Sequence, residues 1–532
     1  MSAKKSFPYH PFLFAISPLL HLYAQNTSQV LVSQVLTALL PLLLLSSAVY
    51  LGATLLASKD PQRAALMTLS FLFFFLVYGT IRSGIQLVTT RWVFPSSDRR
   101  YFLPAWCVLV LAYGAYFLKT ERKLLHANRF LNTTSLILVG VSAANLLVSG
   151  IQNGFASRQT EAAIARSSSI TASTDSDHPD IYYIILDGYG RADTLQRLYE
   201  FDNTPFLSEI ESLGFRVANA SRANYCQTHL SLASSLNLEH ITSLLDLGSQ
   251  PVPTTESLLV LIRNSKVVDE LHKEGYTFIA FETGYYATEI AGADLYWRPP
   301  ASPLVIGDAF TSAVVHMTPL SALLYEGRMT AYDTHRERVL FTFDKLTAVV
   351  EIPGPKFVLA HVVSPHPPFV FDRDGSPLTP DYPYSLNDGS HLIGPGGITR
   401  EEFLHGYVNQ LAFVNQRILE TISAIISGSS RPPVIILQAD HGPGSLLDNH
   451  SAEDTFVGER LAILNAYYLP EIDASKVIWN DITPVNSFRV ILNHYFGTTY
   501  EMLPDRSFYS PWDRAFDLVD VTDRVLAETA WE

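Results

Sequence analysis

The chain has 532 residues, too long for one typical domain, and a formal net charge of −14 at pH 7. That charge is divided: Met1 to Ser157 holds twelve Lys or Arg against three Asp or Glu, and the remainder holds 25 against 48. The acidic remainder excludes nucleic acid as a partner, because neutralising phosphates requires basic surface. Two cysteines in different regions, Cys107 and Cys226, exclude a disulfide framework.

The basic part comes first. No charged side chain occurs between Lys5 and Lys59, far more than the ~20 apolar residues that cross a bilayer once. The polar break Gln25-Asn-Thr-Ser-Gln29 divides this stretch into spans over 9–24 and 31–57, and three more follow at 64–80, 101–118 and 130–151. The pattern predicts an all-α transmembrane bundle of about five helices over residues 1–151, with the bilayer as partner. Five crossings put Lys4, Lys5, Lys59, Arg63, Lys119, Arg122, Lys123 and Arg129 on one side. The positive-inside rule makes that side cytoplasmic and sends everything after Ile151 outside. Arg82, Arg91, Arg99 and Arg100 run against that parity. A cleaved signal peptide is the other reading of the first segment, although no Ala-x-Ala-like site follows it. Residues 152–179 include Arg-Ser-Ser-Ser-Ile-Thr-Ala-Ser-Thr, a composition that buries little apolar surface and reads as a linker.

From residue 180 to 532 strand-like and helical patterns alternate. Apolar runs at 182–186, 277–281, 357–363 and 434–438 read as buried strands, and 204–213, 267–275 and 401–426 have helical apolar spacing. Alternation of this kind predicts an α/β domain, mostly a parallel sheet covered by helices on both faces. A further strand is expected within 461–469, and a sheet-covering helix over 490–496.

Two of these strands end in reactive groups. The run Ile-Tyr-Tyr-Ile-Ile-Leu186 stops at Asp187-Gly188-Tyr189-Gly190, and Val-Ile-Ile-Leu-Gln438 leads into Ala439-Asp440-His441-Gly442. Ligands collect beyond the carboxyl ends of such strands, so two carboxylates and an imidazole can meet there around a metal ion. Between them lies Asn224-Tyr-Cys-Gln-Thr228-His-Leu-Ser231, a hydroxyl at a helix start, where free N–H groups suit an anion. Taken alone, Thr228 reads as a simple helix cap. After the third run, His361-Val-Val-Ser-Pro-His366-Pro-Pro-Phe holds His366 on a proline-stiffened turn, while His361 reads as a satisfied buried histidine. His450 follows His441 by nine residues and fits either a surface loop or the site.

Taken together, Asp-Gly-Tyr-Gly-Arg191, Asn-Tyr-x-Gln-Thr-x-x-Ser-Leu, Pro-His-Pro-Pro-Phe and Asp-His-Gly resemble the sulfatase-like branch of the alkaline phosphatase superfamily. Five spans ahead of an external domain resemble, more narrowly, lipoteichoic acid synthases and lipid A phosphoethanolamine transferases. The resemblance covers about 180–504 and implies that Asp187, Asp440 and His441 bind a divalent ion. It implies Thr228 as nucleophile and further ligand, His366 as a holder of the transferred phosphate, and His450 as a second phosphate-side histidine. Arg191 and Asn224 are pocket candidates by proximity. One residue departs from the pattern: those transferases usually carry Glu where this chain has Asp187. Sulfatases proper form formylglycine within Cys/Ser-x-Pro/Ala-x-Arg, whereas Cys226 is followed by Gln-Thr-His-Leu, so that modification is not expected.

The expected activity is transfer of a phosphate-linked head group from a lipid-linked phosphodiester to an envelope acceptor, through a phospho-threonine. Asp and His ligands together suit one Zn²⁺ or Mn²⁺ better than Ca²⁺. Two alternatives stand beside it: a phosphodiesterase or sulfate-ester hydrolase of the same fold, and a non-catalytic envelope scaffold.

Overall fold

A computed structural model describes residues 7–530 apart from 28–29, 31, 90–98, 121–123, 168–177, 249–252, 301–308, 322–329, 381, 383 and 395–396. Lys4, Lys5, Arg91, Arg122, Lys123 and positions 168–177 of the expected linker therefore lie outside the described residues. The chain divides into two compact units. One comprises Met1–Ile151, Pro303–Ala331 and Tyr382–Tyr384; the other comprises Gln152–Ser302, Tyr332–Asp381 and Ser385–Glu532.

The first unit is helical: α1 (His10–Gln25), α2 (Val32–Leu56), α3 (Pro61–Thr89), α4 (Arg99–Lys119) and residues 125–151 of α5 (Leu125–Ser167). A chain without water to bond its backbone must close its own hydrogen bonds, and a helix does so within one segment. Ala15, Leu19, Leu42, Leu72 and Leu76 form its core, joined by Phe310 and Val314 of the short helix Ala309–His316. Leu40, Leu44, Leu51 and Leu55 of α2 remain exposed, the character of a helix apolar all round. Among the described residues, four helices are long and apolar enough to cross a membrane: Gln34–Leu56, Pro61–Arg82, Phe102–Lys119 and Leu125–Val148. The expected first span is corrected by length. At 16 residues, α1 reaches about 24 Å, short of the ~30 Å hydrocarbon core. Buried amides tie its start to α5, with Asn132 Oδ1 accepting from His10 N at 2.9 Å and Asn128 Oδ1 lying 2.7 Å from His10 Nε2. The linker expectation also shifts, because α5 continues past Ile151 to Ser167.

In the second unit a seven-stranded sheet has the order β2-β7-β6-β1-β5-β3-β4. Its strands are β1 (Ile181–Leu186), β2 (Arg216–Val217), β3 (Thr277–Phe281), β4 (Leu295–Trp297), β5 (Lys356–Val362), β6 (Val434–Gln438) and β7 (Asn465–Tyr468). From β6 to β4 all neighbours are parallel, while β7 is antiparallel to β6 and β2 to β7. Every residue of β1, β5 and β6 is buried, which explains why they read as unbroken apolar runs rather than alternating ones. On one face Ile181, Tyr183, Ile185, Phe357 and Ile436 join Leu230, Leu258, Leu271 and Phe488 from the covering helices. On the other, Tyr182, Ile184 and Leu186 are equally enclosed. The expected helices appear as Thr204–Ser212, Lys266–Lys273 and Arg400–Gly428, and the last apolar segment is the end of Pro484–Phe496. Within 461–469 only Asn465–Tyr468 is strand, since Val457–Leu461 is a helical turn. The register Ile181↔Phe357 and Ile181↔Val434 brings the carboxyl ends of the three central strands level.

Candidate active site

Where β1 ends, the chain must turn sharply without leaving the sheet edge. Gly188 does this at φ +73°, a conformation costly for any residue with a Cβ. Tyr407 clamps the turn: its hydroxyl donates to Gly188 O at 2.9 Å and accepts from Gly190 N at 3.1 Å. Asp187 is tied to β5 by its N–H on Val362 O, and its carbonyl accepts from His366 N, both at 3.0 Å. The strand end and the histidine turn are thereby one unit. Gln410 completes that turn by donating to His366 O at 3.0 Å and accepting from Val370 N at 2.7 Å.

Asp440 and His441 follow β6. Asp440 Oδ1 accepts from Gly188 N at 3.2 Å, and its carbonyl accepts from Ser231 Oγ at 2.8 Å. That last bond docks the helix Thr228–Leu236, so Thr228 occupies its first turn with the side chain at the same edge. The atoms converge on His441 Nε2: Thr228 Oγ1 lies 3.1 Å away, Asp440 Oδ2 3.4 Å and Asp187 Oδ1 3.6 Å. His441 Nδ1 sits 2.9 Å from Gly442 O. A carbonyl only accepts, so Nδ1 carries the proton and Nε2 presents its lone pair. Burial, reinforced by Arg460, lowers the His441 pKa and keeps the ring neutral.

Asp187 Oδ1 and Asp440 Oδ2 are buried side-chain oxygens without a hydrogen-bond partner among the described residues. A desolvated anionic oxygen left unbonded is costly unless a cation meets it. The donor set of two carboxylates, one neutral imidazole and one hydroxyl therefore fits a divalent metal ion.

Three further groups line the same small cleft and were not foreseen: Asp388, Arg460 and Trp512, with Tyr285 beside them. Arg460 Nη1 donates to Asp388 Oδ2 at 2.5 Å, and its Nε donates to Cys226 O at 2.8 Å. Burial would raise the Asp388 carboxyl, but Arg460 and His366 hold it well below the usual range. Burial opposes charge on His366 too, yet Asp187 and Asp388 outweigh it and raise its pKa to about 9, an imidazolium at neutral pH. Burial would raise Asp187 as well, but the His366 imidazolium holds it low. Asp388 stands in Asn-Asp-Gly-Ser, which reads as an ordinary turn, and Arg460 pairs with it across 72 residues. Neither carries a local signal.

Asp187, Thr228, His366, Asp440 and His441 are thus brought together, and three expected pocket residues are not. Arg191 is engaged with Asp193 through two 2.7 Å bonds and with Ser221 O. Asn224 is consumed by Thr483, Arg506 O and Val485 N, fastening the start of Pro484–Phe496. His450 is exposed, its Nε2 3.1 Å from His391 Nε2 and its Nδ1 3.7 Å from Asp513. Cys226 is buried, its thiol raised in pKa by that burial and its Sγ accepting from Ser510 N at 3.3 Å.

The fold and the grouped side chains define an α/β domain with a buried acidic and imidazole centre beside a helix-borne hydroxyl. A family model, Sulfatase, matches residues 179–457, slightly more than half of the chain, and the chain belongs to that family. Among solved structures, the C-terminal periplasmic domain of EptC from Escherichia coli is 14% identical, covering 66% of this chain and 94% of its own at a TM-score of 0.39. The integral membrane lipooligosaccharide phosphoethanolamine transferase A of Neisseria meningitidis is 13% identical and covers 90% of this chain and 95% of its own, TM-score 0.39. A 2-O GAG sulfatase is 14% identical over 61% of this chain and 72% of its own, TM-score 0.39. No curated protein matches the sequence.

Proposed function

We propose that this membrane protein is a metal-dependent transferase that moves a phosphate-linked head group from a lipid donor to an envelope acceptor through a covalent Thr228 intermediate. The observation that carries the reading is the convergence of the Thr228 hydroxyl and two carboxylates on His441 Nε2, within 3.6 Å. Asp187, Thr228, Asp440 and His441 would hold one Zn²⁺ or Mn²⁺, which when bound lowers the pKa of a coordinated hydroxyl and offsets anionic charge.

Formal charges support the need for it. Asp187, Asp388 and Asp440 against His366 and Arg460 leave the cleft at −1, which repels a phosphodiester; a divalent cation makes it +1. The protein's own groups do the rest. The helix Thr228–Leu236 directs its N-terminal dipole at the reacting phosphate. Arg460, anchored by Asp388, and His366 meet the phosphoryl oxygens. Thr228, as the alkoxide, bonds to phosphorus as the bond to the lipid oxygen breaks, and that oxygen takes the proton of His366. The acceptor hydroxyl then attacks phosphorus, returns a proton to His366 and frees Thr228.

The catalytic unit is placed on the outer side of the bilayer, where an envelope acceptor would meet it. With α2 to α5 alone as crossings the basic residues divide evenly, Lys59, Arg63, Lys119, Arg122, Lys123 and Arg129 against Lys4, Lys5, Arg82, Arg91, Arg99 and Arg100, so the positive-inside rule favours this orientation only when α1 crosses as well. Tethering at the bilayer raises the effective concentration of a lipid donor. Membership of the sulfatase family favours a second reading, hydrolysis with water as acceptor. The experiment incubates full-length protein with head-group-labelled phospholipids, with and without a polyol, followed by acid quench and peptide mass spectrometry. Transfer gives label on Thr228 and polyol-dependent turnover. Turnover indifferent to polyol supports hydrolysis, and turnover with no Thr228 adduct contradicts both readings.

A further inference from the structure

His361 lies in β5, opposite Ile185 in the register that levels β1 with β5, and its side chain is 1% exposed. Its Nε2 is 3.2 Å from Asp187 Oδ2. Nevertheless Nε2 makes no hydrogen bond among the described residues, because the ring N–H direction misses that carboxylate. One ligand atom each from Asp187, His361 and Asp440 lie within 4.8 Å of one another, all three residues buried. An imidazole nitrogen and two carboxylate oxygens, enclosed together without a hydrogen bond among the described residues, are a donor set that a shared cation would satisfy.

The other side of the ring supplies a reason for this orientation. His361 Nδ1 lies 2.9 Å from Thr288 Oγ1. The Thr288 hydroxyl has acceptors of its own in Tyr285 O at 3.3 Å and Thr283 Oγ1 at 3.0 Å. It can therefore give its proton to one of these and accept from Nδ1–H, which leaves the Nε2 lone pair facing Asp187 and Asp440. A hydrogen-bonded far nitrogen that fixes tautomer and ring plane is how proteins prepare a histidine for a metal.

We propose that His361 is a further ligand of the divalent cation, through Nε2, and that Thr288 is the positioning residue that holds its ring for that role. This rests on the metal centre proposed above and changes its composition: two imidazoles and two carboxylates beside Thr228. A second nitrogen donor shifts the preference further from Ca²⁺ and Mg²⁺ toward Zn²⁺.

The test uses full-length protein in nanodiscs loaded with Zn²⁺, read by X-ray absorption at the zinc edge and by metal content after dialysis against a chelator. Wild type is expected to show two imidazoles per zinc, falling to one in His361→Gln with affinity lowered about 100-fold or more. Thr288→Val is expected to lose about 10-fold in affinity, while Thr288→Ser keeps it and all metal-free forms melt alike. One imidazole in wild type, with His361→Gln binding zinc unchanged, overturns the proposal and leaves the metal centre standing. A wild-type protein that binds no divalent ion overturns both. The wild-type imidazole count decides the matter even where a variant fails to fold.

Discussion

Arg460 and Asp388 form an ion pair whose side chains are 4% and 8% exposed, so their desolvation is nearly complete. Arg460→Met leaves the buried Asp388 carboxylate with only His366, 3.6 Å away, to face it and is expected to cost about 3 kcal/mol, seen as a lowered melting temperature. The double variant Arg460→Met/Asp388→Leu removes both charges of the pair and leaves His366 facing Asp187, and is expected to recover part of it. Thr228→Ala is expected to remove turnover by about 1000-fold or more while the fold melts near wild type, because an oxygen at the reacting centre is lost without opening a large cavity. A steady-state assay beside a melting curve separates the two effects. The residues that mark this centre were unequally visible in the sequence. Asp187 and Asp440-His441 stand out because each ends an apolar run. His361 sits inside such a run, where burial alone accounts for a histidine, and the orphaned nitrogen that distinguishes it is a fact of three dimensions.

Among the elements, the turn after β1 depends on one distant hydroxyl. Tyr407→Phe strips the partners from Gly188 O and Gly190 N, both buried, and is expected to cost about 1–3 kcal/mol with a weaker hold on metal. Calorimetry with and without zinc checks both halves. Central strands were legible from composition because enclosure on two faces selects continuous apolar residues. The edge strands β2 and β4, two and three residues long, leave too few residues for any period to show. Antiparallel β7 was displaced for a related reason: the apolar stretch before it folds as the helical turn Val457–Leu461. Helix α5 shows the converse, since Ser, Thr and Ala in residues 152–167 suggested a linker, yet Ala, Gln, Glu and Arg among them sustain a helix already nucleated in the apolar segment.

For the molecule as a whole, charge partition and hydropathy already separated a bilayer part from an acidic folded part. Length was the less certain guide, as α1 shows. A fluorescent protein fused after Glu532 is expected to stay dark in cells while a reporter active only outside the cytoplasm works at the same place; the reverse pattern refutes the outward orientation. Stability of the second unit is expected to depend on pH through His335, a fully buried ring whose pKa burial lowers from 6.5 to about 3. The folded protein keeps it neutral while the unfolded chain protonates it, so its contribution is complete above pH 6.5 and declines as pH falls toward 3. His335→Gln should flatten that part of a plot of melting temperature against pH.

Anomalous diffraction from crystals of the full chain, collected at the zinc and manganese edges, addresses the central claim most directly. One peak is expected about 2.0–2.3 Å from side-chain atoms of Asp187, Asp440 and His441, with Thr228 Oγ1 in reach. A peak elsewhere, or none from metal-saturated protein, would contradict the account.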